Sequence, residues 1–272
     1  VVNGANWHRS LIELKKTLIN TGDLCHPLKH GISARDDSRY RTEHPSPMFE
    51  LPRHLRHLLF LASSLLVVVP GFAADTADEF RVATEGYRYA FPRDHGAHEE
   101  FRTEWWYYTG QVTAKDGRPF GYELTFFRRG MPREQTKTLP SKWTVSHLYL
   151  AHFAISDLSK GQFHYADKMS RAALGKAGAA QDRLHVWIDR WSAESPSAAP
   201  GTQTLRAADG DMAIQLTVSS GKPLVVHGTD GISRKGSAAG QASHYYSFTR
   251  LATTGKLTIG NESFDVTGTS WM

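Results

Sequence analysis

The sequence predicts a mainly β protein built as an antiparallel barrel or sandwich. Two observations carry this. From residue 91 onward, short runs of alternating character follow one another with turn signals between them and little helical pattern. Within Phe91 to Gly110, Trp105, Trp106, Tyr107 and Tyr108 form four consecutive aromatics, a strong strand signal.

The elements follow in order. Residues 75–90 are a leader ending in Tyr87 and Tyr89. The turn after it carries Arg93, Asp94, His95, His98, Glu99 and Glu100. In the strand that follows, alternation puts Glu104, Trp106 and Tyr108 on one face and Trp105 and Tyr107 on the other. Lys115-Asp116-Gly117-Arg118 closes a hairpin, and Phe120 to Arg128 pairs back. Trp143 to Ile155 is a long strand with His147, Tyr149, Ala151 and Phe153 facing one way and Leu148, Leu150, His152 and Ala154 the other. Phe163 to Gly175 reads as a strand leading into a short helix. Leu184 to Trp191 reads as one alternating strand with His185, Trp187, Asp189 and Trp191 on a common face. Further strands lie at 205–207, 212–219, 224–227, 244–252, 256–259 and 263–266, with Asp209-Gly210-Asp211 and Gly260-Asn261 as turns.

The beginning of the chain reads differently. Met48 precedes Arg53, His54, Arg56 and His57, then an apolar run from Leu58 to Val69, then Pro70, Gly71 and small residues. This is the order of a secretory signal peptide at 48–74, and the apolar run is shorter than the roughly 20 residues of a membrane span. Residues 1–47 then read as a non-native or disordered upstream extension. They hold Cys25, the single cysteine, so the part from Asp75 has no disulfide and no thiol nucleophile. The expected localisation is periplasmic or secreted.

The chain has 32 Lys+Arg against 27 Asp+Glu, but the part after residue 74 is only about +2. No basic stripe appears, so nucleic acid is excluded as a partner. No phosphate-binding glycine loop, His-Glu-x-x-His or Gly-x-Ser-x-Gly is present, and no metal or cofactor is assigned. His147 and His152 fall on opposite faces of a strand and cannot share a metal. Glu104 in line with Trp106 and Tyr108 fits an apolar pocket with one polar group; it equally fits a packed barrel strand whose carboxylate is met by an arginine.

The ordered set FPRDHGAHEEFRTEWWYYTG, GYELTFFRRG, LYLAHFAISD, FHYADKMSR, VWIDRW, KPLVVHG with GISRKG, HYYSFTRL and GTSWM resembles the carotenoid 1,2-hydratase (hydroxyneurosporene synthase) family. The likeness is to its secreted branch, predicted secreted hydrolases associated in part with ABC-type export systems. The resemblance implies two tandem lipocalin-like barrels: a first over 75–243, and a second of which 244–272 would be the opening strands, poorly ordered without their partners. It also implies an apolar, isoprenoid- or lipid-like ligand, transient membrane contact, and water addition to an alkene. That chemistry needs a carboxylic acid in an apolar site and aromatic faces for the cation. Glu104, Asp189, Asp94 and His95 are the catalytic candidates, and Trp106, Tyr108, His152, Trp187, Trp191 and Tyr246 the ligand-binding ones. The alternative is a non-catalytic periplasmic lipid carrier or an accessory of an ABC exporter.

Overall fold

The computed structural model describes residues 80–132, 145–196, 201–238 and 240–272. The stretches read as an upstream extension (1–47) and as a signal peptide (48–74), with Cys25, lie outside the described residues.

The strands are β1 (Thr103–Ala114), β2 (Pro119–Gly130), β3 (His147–Asp157), β4 (Gln162–Arg171), β5 (Ala177–Ala179), β6 (His185–Ile188), β7 (Trp191–Glu194), β8 (Thr202–Asp209), β9 (Met212–Ser220), β10 (Val225–Val226), β11 (Ile232–Arg234), β12 (Ala242–His244), β13 (Tyr246–Ser247), β14 (Leu251–Ile259) and β15 (Glu262–Trp271). Eleven of them form one antiparallel sheet in the order β4-β3-β2-β1-β15-β14-β9-β8-β7-β6-β5. The sheet curls into a nearly closed barrel, and its two edges, β4 and β5, are neighbours in sequence. Strands β10 to β13 form two small ribbons between β9 and β14.

Alternation fixes which side chains point inward. On β1 and β2 the buried positions Trp106, Tyr108, Val112, Phe120, Tyr122, Leu124 and Phe126 face the core, joined by Tyr149, Phe153 and Ile155 of β3 and Trp191 of β7. Tyr108 Oη donates to Gln203 Oε1 at 2.8 Å, and Tyr122 Oη, Ser270 Oγ and Thr253 Oγ1 form a chain of 2.6 Å contacts, so the polar tips inside are matched. Tyr108, Phe126, Phe153, Trp191 and Leu205 have essentially no exposed surface. The barrel centre is therefore a packed core.

The first hairpin turns through Lys115-Asp116-Gly117, a three-residue loop with Gly117 at φ +89°. That register sets Glu104 opposite Arg128.

Three sequence-based expectations change. Within 244–272, expected to open a second barrel, β14 pairs with β9, and β15 pairs with β1 from Thr109↔Trp271 to Ala114↔Val266. Both strands sit in the middle of this sheet; β14 is paired along its length on both sides, and β15 is paired with β14 over 262–270 and with β1 over 266–271, so these strands do not lack partners. The run 184–191 is a hairpin, not one strand, because Ile188 pairs with Trp191 around Asp189-Arg190, with Asp189 at φ +52°. The segment after Phe163 remains strand to Arg171 and forms no short helix.

Candidate functional site at the capped barrel end

One end of the barrel is crossed by Phe91–Phe101. The segment makes a three-residue 3-10 turn at Arg93–His95, then donates from Ala97 N to Ala180 O at 2.7 Å. A Cβ on Gly96 would stand 2.6 Å from that carbonyl, so only glycine lets the segment lie so close. Trp106 Nε1, at the top of the core, donates to His95 O at 3.0 Å and anchors the cap from below.

The cap carries a continuous polar chain. Tyr87 Oη donates to Asp94 Oδ1 at 3.1 Å, Arg93 Nε reaches the same oxygen at 2.6 Å, and Ala90 N donates to Oδ2 at 2.6 Å. His98 lies between two carboxylates: Nε2 is 3.2 Å from Asp94 Oδ1, and Nδ1 is 2.6 Å from Glu104 Oε1. Glu104 also accepts from His98 N at 2.9 Å and from Arg128 Nε at 3.0 Å. Arg128, fully buried, donates from Nη2 to the carbonyls of His98 and Phe101 at 2.8 and 2.7 Å. Its Nη1 lies 3.3 Å from His147 Nδ1, and His147 Nε2 is 3.5 Å from Glu99. The arginine anticipated for Glu104 is thus present.

Aromatic rings surround this chain. Tyr87 and Phe101 flank His98 edge-on at 6.3 and 6.5 Å, and His244 lies 4.6 Å from Tyr87 and 5.4 Å from Phe101. His244 Nδ1 is buried and has no hydrogen-bond partner among the described residues. Beside them Tyr89, Phe91, His95, Tyr246 and Phe248 pack ring against ring, with Phe91 partly in solvent. Tyr246 Oη donates to Asp94 O at 3.2 Å and contacts His95 Nδ1 at 2.9 Å.

Burial works against the His98 imidazolium, but the adjoining Glu104 and Asp94 outweigh it and raise its pKa. Burial also works against the Asp94 carboxylate, but Ala90 N–H, His98, Arg93 and Tyr87 together lower its pKa. His95, with burial dominant, is depressed to about 4. His98 therefore contributes stability that is fully present below the ordinary histidine pKa, about 6.5, and lost as pH rises through its elevated folded value. His95 has the opposite sign: its contribution is lost as pH falls from about 6.5 towards 4. Thermal melts across pH should show a decline on the alkaline side of about 6.5 that His98→Asn flattens. An unchanged slope in that variant would assign the decline to other groups.

The structure brings Asp94, His95, Glu104, Trp106 and Tyr246 together at this end. It does not bring in the others. Asp189 is a half-exposed hairpin turn residue 3.5 Å from Lys168. Trp187 lies over Gly178, where a Cβ would meet its ring at 2.6 Å, and donates from Nε1 to Gly175 O. Trp191 points the opposite way, into the core, because of the turn between them. Tyr108 is core. His152 packs against Phe127 and Tyr165 on the face opposite the buried Ala151 and Phe153. Sequence reasoning missed His98, Arg128, Tyr87 and His244. The hairpin register would have exposed Arg128, since a three-residue loop pairs it with Glu104. Among the described residues, no group of three or more His, Cys, Asp or Glu is arranged to hold a metal ion.

A nearly closed antiparallel barrel with a filled centre and a polar, aromatic-ringed cap defines a lipocalin-like protein. The chain belongs to the AttH-like family, whose model matches residues 82–272. It is similar to the crystal structure of a protein assigned as AttH from Nitrosomonas europaea, with 33% identity, a TM-score of 0.62, and coverage of 71% of this chain and 56% of that one. It also aligns with kievitone hydratase from Nectria haematococca at 11% identity and a TM-score of 0.48, over 71% of this chain and 54% of that one. The chain thus spans about half the length of these solved structures. No curated protein matches it.

Proposed function

We propose that this protein is exported and binds an apolar, isoprenoid- or lipid-like ligand at the capped end of the barrel, where it adds water to an alkene. The supporting observation is the half-buried His98, held between Asp94 and Glu104 and flanked by Tyr87 and Phe101, with the unpartnered His244 Nδ1 beside it. Apolar rings next to a few convergent polar atoms are what such a ligand needs. The packed centre turns attention from the barrel interior, where Trp106, Tyr108 and Trp191 were expected to line a pocket, to its end.

In hydration, an acid gives its proton to one alkene carbon, the other carbon becomes a cation, and water bonds to it while losing a proton to a base. His98, kept charged by its two carboxylates, is the donor this reading assigns: Nε2–H, on the longer of its two contacts, would turn from Asp94 to the alkene carbon when ligand is bound, while Nδ1 stays on Glu104. Asp94, held on the Nε2 side, is the acceptor that restores it. The rings of Tyr87 and Phe101 beside His98 supply the aromatic groups that would stabilise the cation. Export rests on the 48–74 segment, and the membrane and an ABC-type exporter are the partners this reading carries. A second reading, a carrier without chemistry, is favoured by one observation: Asp94 and Glu104 already have cationic neighbours in Arg93 and Arg128.

Fluorescence titration with parinaric acid tests the ligand. Tyr87→Ala with Phe101→Ala should weaken binding about tenfold or more, from the area of two rings. Equal affinity in the double variant would place the ligand elsewhere. Oxygen-18 uptake from labelled water into a bound isoprenoid, absent in His98→Gln, separates enzyme from carrier.

A further inference from the structure

The outer face of β4 is unlike the rest of the surface. The five most exposed large apolar side chains among the described residues are Leu158 (56%), Phe163 (55%), Tyr165 (51%), Met169 (66%) and Leu174 (75%). All fall between residues 158 and 174, on β4 and the turns that flank it. Phe163, Tyr165 and Met169 share one face by alternation and span about 20 Å at ~3.3 Å per residue. The rings of Phe163 and Tyr165 stack at 6.4 Å. The row continues inward along the sheet through His152 to Phe127.

Asp167 shares this face between Tyr165 and Met169, and the positive charge comes from the wider stretch around the strip. The stretch 158–190, which supplies both edges of the sheet, holds Lys160, Lys168, Arg171, Lys176, Arg183 and Arg190 against Asp167, Asp182 and Asp189. The pairs Lys160–Glu262, Lys168–Asp189 and Arg183–Asp182 account for three of the cations, and Arg171 also has a partner within the protein, so Lys176 and Arg190 are the cations this docking relies on. Aromatic and aliphatic side chains flanked by Lys and Arg match the boundary between acyl chains and anionic headgroups. No helix among the described residues is long and apolar enough to cross a membrane.

We propose that the outer face of β4 docks on a bilayer rich in anionic lipid, with Phe163, Tyr165 and Met169 inserted among the headgroups and Lys176 and Arg190 on the phosphates. The placement has a further consequence for the fold. β4 is an edge of the sheet, and the ladder is interrupted between it and β5. There Lys168 Nζ stands 4.8 Å from the centre of the Trp191 ring and 3.5 Å from Asp189. Docking by β4 would set the barrel's one unlatched seam against the lipid.

Flotation with vesicles tests this without any added ligand, so its failure and that of the ligand reading are distinguishable. The whole chain should float with phosphatidylglycerol vesicles, bind phosphatidylcholine vesicles weakly, and lose the difference at high salt. Phe163→Ser with Met169→Ser should lower the partition coefficient about tenfold, and Lys176→Ala about fivefold. Val225→Ser with Val226→Ser, at another exposed apolar pair, should leave it unchanged. The salt response of the unaltered protein stands as a second readout if the double variant fails to fold. Absence of flotation, equal binding by the folded β4 variant, or self-association that the same variant abolishes would each overturn the proposal; the last would make the strip an interface between copies.

Discussion

An Arg128→Met variant is expected to lose about 3–5 kcal/mol of stability, the usual cost of breaking a buried ion pair from one side. This guanidinium ties together three groups of the cap and the strand below it. Its Nε neutralises Glu104, and its Nη2 satisfies the carbonyls of His98 and Phe101, which fix the path of the cap. Methionine fills much of the space but leaves a carboxylate and two carbonyls short of a donor. Lysine restores the charge but not the fork, so Arg128→Lys should recover only part of the loss. Combining Arg128→Met with Glu104→Gln should cost less than the two separate losses by at least about 1 kcal/mol, as expected of coupled neighbours. Urea unfolding measures the parent and all these variants, and strict additivity in the double variant would mean that the pair does not act as a unit.

Trp191→Ala is the second large loss, about 3–5 kcal/mol. The indole is fully buried, meets Phe153 edge-on at 5.6 Å, donates from Nε1 to Ala208 O at 2.8 Å, and lies under Lys168. Its removal leaves a dry cavity next to the edge strands. Indole added to this variant should raise its melting temperature, since a ligand bound to the folded state alone stabilises it. The parent protein, which has no such cavity, should not respond. A response in both would show that indole binds elsewhere. Lys168→Met tests the cation over the ring and should cost about 0.5–2 kcal/mol.

The contrast between these residues shows what the sequence made legible. Alternation placed Trp106, Tyr108, Tyr149 and Phe153 correctly because a strand with one buried face repeats every two residues. It misplaced Trp191 relative to Trp187 because a two-residue turn hides inside VWIDRW, and a turn between them reverses the parity on which the reading depends. The assignment of 244–272 to another barrel came from likeness rather than from pattern. Nothing local says which strand β15 will pair with, since ladder partners are chosen by distant hydrogen-bonding groups. At the cap, Asp94, His95 and Tyr246 were visible as residue types. The chain through His98 was not, because it depends on a loop folding back over a strand end, and loop paths follow from tertiary contacts such as Ala97 N to Ala180 O.

The ladder between β1 and β15 also sets a timetable for the chain. Thr109 meets Trp271 only after nearly all of the described polypeptide has emerged. β14 and β15 are the bridge between β1 and β9, so the two halves of the sheet have no common backbone ladder until β15 arrives. Contacts of such sequence separation make a slow folder, on the order of milliseconds to seconds even for small β domains. Nascent chains released before β15 should stay open and sensitive to protease, and those released after it should close in a single cooperative step.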